Sequence, residues 1–299
     1  MLATAADLVA LLDIEPIGPD RYVGRSPSNR WPRVFGGQAI AQALVAAART
    51  VEERAPHSLH AYFILPGDPA EPILFEVDRV RDGRSFATRR VVASQRGEAI
   101  FVLAASFHIE EEGLEHQLPM PPAPEPDRLV DPVAAIALLG EKAQKRFQGL
   151  LERIRPIEFR PLDLARYVPP APGVVREPTQ SLWIRIGGAL PDDPAIHRAA
   201  LAYLSDMTLL DTALVTHGHT ISDGRFQLAS LDHALWLHRP FRADDWLLYV
   251  QDSPNAHGAR VLTRGLLYTR AGVLAATVVQ EGLIRPVRPK PSAEQVLGA

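Results

Sequence analysis

The sequence has no cysteine at all. That removes disulfides, zinc–thiolate sites and cysteine nucleophiles together, and it fits a reducing, cytoplasmic compartment. Lysine is almost as scarce, occurring only at Lys142, Lys145 and Lys290, with arginine supplying the remaining basic charge. The formal net charge is −3, so there is no basic excess to neutralise phosphates, which argues against nucleic acid as the main partner. No apolar run approaches the roughly 18 residues that a membrane span needs. The opening segment MLATAADLVALLDIEP carries acids early and lacks a basic n-region, so it reads as a short amphipathic helix and not a signal peptide. Several catalytic signatures are missing too. There is no G-x-S-x-G elbow, no phosphate-binding G-x-x-x-x-G-K-[ST], no G-x-G-x-x-G and no H-E-x-x-H. His233 and His238, five apart on a strand, point to opposite faces, and no metal-ligand set emerges.

What is present is an internal repeat. Residues 58–107 overlay residues 232–281 at a constant shift of 174 with no gap. Pro66 falls on Pro240, Asp78 on Asp252, Arg90 on Arg264 and Arg96 on Arg270. In the first copy, Gly36-Gly37 opens a small-residue helix from Gln38 to about Arg49, apolar on nearly every face and therefore enclosed by other structure. Strand-like runs follow at 58–65, 72–80, 84–95 and 99–109, punctuated by Pro66-Gly67-Asp68, Asp82-Gly83 and Arg96-Gly97. The second copy has a strand at 181–188, then a helix starting at Pro191-Asp192-Asp193-Pro194 and running to about His217. Strands at 226–239, 245–252, 259–270 and 273–285 complete it.

A helix followed by four sequential hairpin strands argues against a parallel doubly wound sheet, which needs a helix between strands. The expected class is α+β. Its expected form is a double hotdog: two long helices, each wrapped by an antiparallel sheet, with the two sheets continuous. The expected division is an N-terminal hotdog domain over 1–112, a Pro-rich linker over 113–175 that contains a charged helix at roughly 131–154, and a C-terminal hotdog domain over 176–299. The Pro-rich tail is expected to lie at the surface.

Three polar residues of the second copy stand where apolar ones are expected. Asp206 has Ala202, Tyr203, Leu209 and Leu210 as its helical neighbours, placing a carboxylate on an apolar stripe. Ser230 shares a strand face with Leu228 and Phe226, and Gln280 alternates with Ala276 and Val278. A buried carboxylate needs hydrogen-bonding company, which Ser230 and Gln280 can give. For any one of these residues a capping or pinning role is the simpler reading, but the three together favour a site. The set is not duplicated, since the shift of 174 puts Pro56 at the position of Ser230 and Ser106 at that of Gln280. One active half and one degenerate half are therefore expected.

At these residues the chain resembles the acyl-CoA thioesterase II family, the TesB-type double hotdogs. The resemblance runs through RVFGGQAIAQAL, LHAYFILPGD, RDGRSFATRRV, AYLSD, ASLDHALWLHRPF and VVQEG, nearly the whole chain. It implies hydrolysis of acyl-CoA to free fatty acid and coenzyme A by an Asp, a Ser or Thr, and a Gln, which correspond here to Asp206, Ser230 and Gln280. Asp206 is then the general base, with Ser230 and Gln280 orienting the attacking water. No cofactor and no metal is implied, and a homodimer or homotetramer is expected. Gly36, Gly37 and Gln38 at the helix start either permit close packing or present amides to the substrate. Phe63, Phe101 and Trp236 are candidates for an acyl tunnel. Two rival readings stay open: an enoyl-CoA hydratase, which needs a paired Asp and His, and a non-catalytic acyl-CoA binding protein.

Overall fold

The computed structural model describes residues 2–27, 32–131, 134, 154–164, 174–220 and 224–287. The charged helix expected over 131–154 lies almost wholly outside these residues, as do the Pro-rich run at 169–172 and the tail beyond 287.

Helix α1 (Ala5–Leu12) starts on a capping box in which Thr4 Oγ1 accepts from the Asp7 amide and the Asp7 carboxylate accepts from the Thr4 amide. A hairpin of β1 (Glu15–Gly18) and β2 (Arg21–Gly24) follows, with Asp20 taking the left-handed position at its turn. Helix α2 (Gly36–Ala48) then runs through the interior. Ile40, Ala41, Ala43, Ala46 and Ala47 are all fully buried, and their small side chains let sheet and helix close tightly around it. Strands β3 (Ala55–Phe63), β4 (Ile73–Asp82), β5 (Phe86–Gln95) and β6 (Glu98–His108) cover it. After a connecting stretch come β7 (Ile157–Pro161), β8 (Thr179–Ile186), helix α3 (Pro194–Ser205) and helix α4 (Leu209–Val215). Strands β9 (Phe226–Ser230), β10 (Asp232–Leu237), β11 (Leu247–His257), β12 (Arg260–Thr269) and β13 (Leu274–Pro286) complete the chain.

All the strands join one antiparallel sheet in the order β1-β2-β4-β5-β6-β3-β10-β13-β12-β11-β8-β7, with β9 also on β13. The two halves meet at β3 and β10, where Tyr62 faces Asp232 and Ser58 faces Trp236. The repeat is legible in this register. Asp78 pairs with Arg90 across β4 and β5, and Asp252 pairs with Arg264 at the same place across β11 and β12. Both pairs are hydrogen-bonded, at 3.0 Å in the first half and 2.7–2.9 Å in the second. The Asp and first Arg identities at a shift of 174 are thus cross-strand ion pairs at matching ladder positions.

Two expectations need correction. The long second helix is two helices: α3 ends at Ser205, and Thr208, at φ 66°, breaks the path before α4. The strand expected over 226–239 is likewise two, broken at Leu231, because β9 and β10 pair with β13 in registers that differ by one residue. The Pro-rich stretch before residue 131 is laid on the second half. Trp183 Nε1 donates to Pro124 O, and Met120 and Ala123 pack on the cluster of Trp183, Trp246, Leu248, Tyr268 and Leu274. Among the described residues, no helix is long and apolar enough to cross a membrane.

The N-terminus of α2 abuts the C-terminal turn of α3. A Cβ on Gly37 would lie 2.1 Å from the Tyr203 carbonyl oxygen, a backbone atom with nowhere to go. Gly37→Ala is therefore expected to destabilise the protein by about 1–3 kcal/mol, despite alanine's better helix propensity. Chemical denaturation measures this, and unchanged stability would mean the helix ends part easily.

Candidate active site

Asp206 caps the C-terminus of α3, with φ −77° and ψ −2°. This differs from the expected place on a helical stripe, and the break after it has a physical cause. Gln251 Nε2 donates to Thr208 Oγ1 at 2.8 Å, and Gln180 Nε2 donates to Thr208 O at 3.3 Å and to Gln251 Oε1 at 2.7 Å. Thr212 Oγ1 also donates to Gln251 Oε1, and the Tyr249 hydroxyl donates to Ser205 O at 2.7 Å. These buried groups hold a β-branched residue in a conformation it rarely adopts.

The three expected residues come together there. Ser230, at the end of β9, donates to Asp206 Oδ1 at 3.3 Å, and Gln280 Nε2 on β13 donates to Ser230 Oγ at 2.9 Å. The break at Leu231 turns Ser230 toward the helix end, as bulges beside sites commonly re-aim a side chain. Asp232 seals the kink by accepting from the Glu281 amide at 2.7 Å. Gln280 is buried, whereas Asp206 and Ser230 are only half-buried and keep some surface in reach of water. Burial nevertheless pushes the Asp206 carboxyl up from its usual 3.8 to about 7, against the lowering effect of hydrogen bonds from Gln280, Ser230 and the Gly37 amide.

The first half also contributes to this site. The Gly37 amide at the start of α2 faces Asp206, and a Cβ on Gly36 would sit 2.5 Å from Asp206 Oδ2 and 3.0 Å from the Phe63 ring. Gly36 and Gly37 thus join the cluster, with their close packing made against α3 more than against the sheet. Gln38 does not. It turns away to Arg25 O, Ser26 Oγ and Gln42 Oε1. Phe63 packs against the buried Phe101, while Trp236 lies on the outer face of the sheet against His60, so it cannot line an interior tunnel.

One residue set aside in the sequence enters the cluster. His233 is buried on the inner face of β10, with Nδ1 2.6 Å from Gln280 Oε1 and Nε2 3.0 Å from Ser205 Oγ. Burial depresses it to about 4, so the ring is neutral at physiological pH. Asp232, its neighbour, faces the other way, and the pair expected of a hydratase is not formed. The signal for His233 was its alternation with Leu235, which assigns it to the interior.

The strand registers also correct the position matched to Gln280. Gln280 faces Thr263, and the corresponding pair in the first half is Ala105 with Arg89, so the counterpart of Gln280 is Ala105 and not Ser106. The repeat slips by one residue at the last hairpin, where Ser94 and Tyr268 mark irregularities. Pro56, opposite Phe107, remains the counterpart of Ser230, opposite Gly282.

Comparison with known proteins agrees with this architecture. The acyl-CoA thioesterase family model matches residues 156–283, and the acyl-CoA thioesterase N-terminal domain model matches residues 27–108. Acyl-coenzyme A thioesterase 8 of Rattus norvegicus is 42% identical over 288 residues, covering 93% of this chain and 88% of that protein. The crystal structure of acyl-CoA thioesterase II TesB2 from Mycobacterium marinum is 41% identical with a TM-score of 0.76, covering 95% of this chain and 99% of that one. A hot dog fold protein of unknown function from Alicyclobacillus acidocaldarius has a TM-score of 0.73 at 20% identity, covering 94% of this chain and 99% of that one, which bears on the fold alone. The chain has the hotdog fold and belongs to the acyl-CoA thioesterase family.

Proposed function

We propose that this chain hydrolyses fatty acyl-CoA to free fatty acid and coenzyme A by direct attack of water, at one site built on a double hotdog. The observation that carries the reading is the hydrogen-bonded line Gln280–Ser230–Asp206, ending on a carboxylate raised to about 7. A carboxylate with an ordinary pKa is a poor proton acceptor near neutrality. Raised to about 7, it matches the range where general-base catalysis is most effective. Asp206 takes a proton from water as the oxygen attacks the thioester carbon. The Ser230 hydroxyl and the Gln280 amide orient that water. Collapse of the tetrahedral species breaks the C–S bond, and the departing thiolate recovers the proton from Asp206. The oxyanion is met by an amide N–H, either a backbone group at the α2 start or the Gln280 side chain.

The proposal includes a cytoplasmic location, for which the absence of cysteine is the support, and assembly as a homodimer or homotetramer. Exposed Tyr62 shares the outer sheet face at the β3–β10 seam with His60 and Trp236, and that face is the one proposed for the assembly.

Two measurements test Asp206. If it is the base, kcat/KM rises with pH and levels off above about 7, falling about tenfold per unit below that. Asp206→Asn then lowers thiol release from acyl-CoA by at least about 100-fold. Near-native turnover by that variant at saturating substrate would remove Asp206 from the chemistry. The second measurement needs no substrate. Because the folded carboxyl binds its proton more tightly than the usual 3.8 allows, ionisation costs stability. That cost is absent below about 3.8, grows as pH rises and is complete above about 7. Asp206→Asn is therefore expected to stabilise the protein more at pH 8 than at pH 5 in chemical denaturation. An equal effect at both pH values would contradict the raised pKa.

A further inference from the structure

His233 and Gln280 sit side by side on β10 and β13, and their counterparts in the first half are Leu59 and Ala105 on β3 and β6. All four are buried. The pair is thus polar in both members where Ser230 and Asp206 are present, and apolar in both members where Pro56 takes the place of Ser230. A histidine needed only to fill the interior has no reason to change together with Gln280.

The geometry points to His233 as a positioning residue that fixes which way the Gln280 amide faces, and through it the direction of the hydrogen bonds that end on Asp206. This rests on the proposed role of Gln280 in hydrolysis. Gln280 Oε1 can only accept, and it lies 2.6 Å from His233 Nδ1, so Nδ1 carries the ring proton. Burial keeps the ring neutral, which leaves Nε2 bare. Nε2 faces Ser205 Oγ at 3.0 Å, and the serine hydroxyl supplies the proton it needs. Ser205 Oγ can instead donate to Ala202 O at 3.0 Å, which belongs to the other ring tautomer; with Nδ1 protonated, the hydroxyl proton turns to Nε2. With Oε1 held by the ring, Gln280 Nε2 must face Ser230. Ser230 then accepts from the amide and is free to donate to Asp206. If the amide turned over, Oε1 would face Ser230 and compete with Asp206 for its one proton. Histidine thus selects the amide orientation that leaves the serine proton to the carboxylate.

Three single variants and one double variant of the full chain test this, with kcat and KM measured by thiol release from acyl-CoA. His233→Leu copies the residue at the matching position of the first half. It is expected to lower kcat about 10- to 100-fold with KM within about threefold, as misorientation of a reacting group does. His233→Asn keeps an N–H donor near the position of Nδ1 and is expected to recover kcat to within about fivefold of the parent. In a Gln280→Ala background, His233→Leu is expected to change kcat by less than about twofold, because the residue it acts through is gone. Long-range proton–nitrogen correlation spectra, with His233→Asn identifying the ring, are expected to show the proton on Nδ1.

Multiplicative losses in the double variant, failure of asparagine to recover kcat, or a proton on Nε2 would each overturn the role of His233 while leaving Gln280 in place. A Gln280→Ala variant with parental kcat would overturn the reading of Gln280, and this inference with it.

Discussion

The site depends on two helix ends brought against one carboxylate. Asp206 caps α3 at its C-terminus, the end whose unpaired carbonyls carry negative partial charge and where an acid is electrostatically misplaced. The start of α2, with the opposite partial charge, faces it through the Gly37 amide. Burial favours the protonated acid, while hydrogen bonds from Gln280, Ser230 and the Gly37 amide favour the anion. The result, about 7, leaves the carboxylate able to take and return a proton near neutrality. This opposition requires contact between the helix ends, and contact requires Gly36 and Gly37, because a Cβ at either would meet Asp206 or the Tyr203 carbonyl.

The second requirement is that α3 should stop where it does. The segment Leu204-Ser205-Asp206-Met207-Thr208-Leu209-Leu210 contains neither glycine nor proline. Holding Thr208 at φ 66° costs on the order of 1–3 kcal/mol. Hydrogen bonds from Gln180 and Gln251 reach Thr208 from β8 and β11, each contributing about 0.5–1.5 kcal/mol, and Tyr249 ties down the preceding carbonyl. The break is therefore imposed by the sheet on a sequence that would otherwise continue as helix. That places Asp206 at an end instead of along a face.

This also explains what could be read from the residues alone. The strands were legible because alternation and turn residues are local: β5 and β12 run over Phe86–Gln95 and Arg260–Thr269, a shift of 174 at both ends. Asp206, Ser230 and Gln280 stood out because each interrupts an apolar pattern. The helix break was not legible, since its cause lies in Gln180, Tyr249 and Gln251, distant in sequence. Gln38 was drawn in by its neighbours Gly36 and Gly37, yet a residue one step along a helix turns well away, and its amide is spent on Arg25, Ser26 and Gln42. His233 was weighed only beside His238 as a metal ligand and beside Asp232 as a hydratase pair, because its partner Gln280 is distant in sequence. The one-residue slip in the last hairpin hid that partner's true counterpart, Ala105.

The duplication carries a final consequence. Two equal halves could in principle form two sites, each with one helix start facing the other helix end. The opposite ends of α2 and α3 are built differently. Helix α2 closes on Arg49, a cation suited to a helix C-terminus, hydrogen-bonded to Ile14 O and Asp13. Helix α3 opens on Asp193, whose side chain accepts from the Ala195 amide, and on Pro194, which has no amide to offer. The helix start that would serve a second site is thus already capped, and the helix end that would bear its acid carries an arginine. With Leu59, Ala105 and Pro56 in place of His233, Gln280 and Ser230, the first half has neither the chain of donors nor the carboxylate. It supplies instead the amide terminus and Phe63 that the second half lacks, so neither half is complete without the other. On the proposed reading of Asp206, Ser230 and Gln280, the first half is then the other part of a single site.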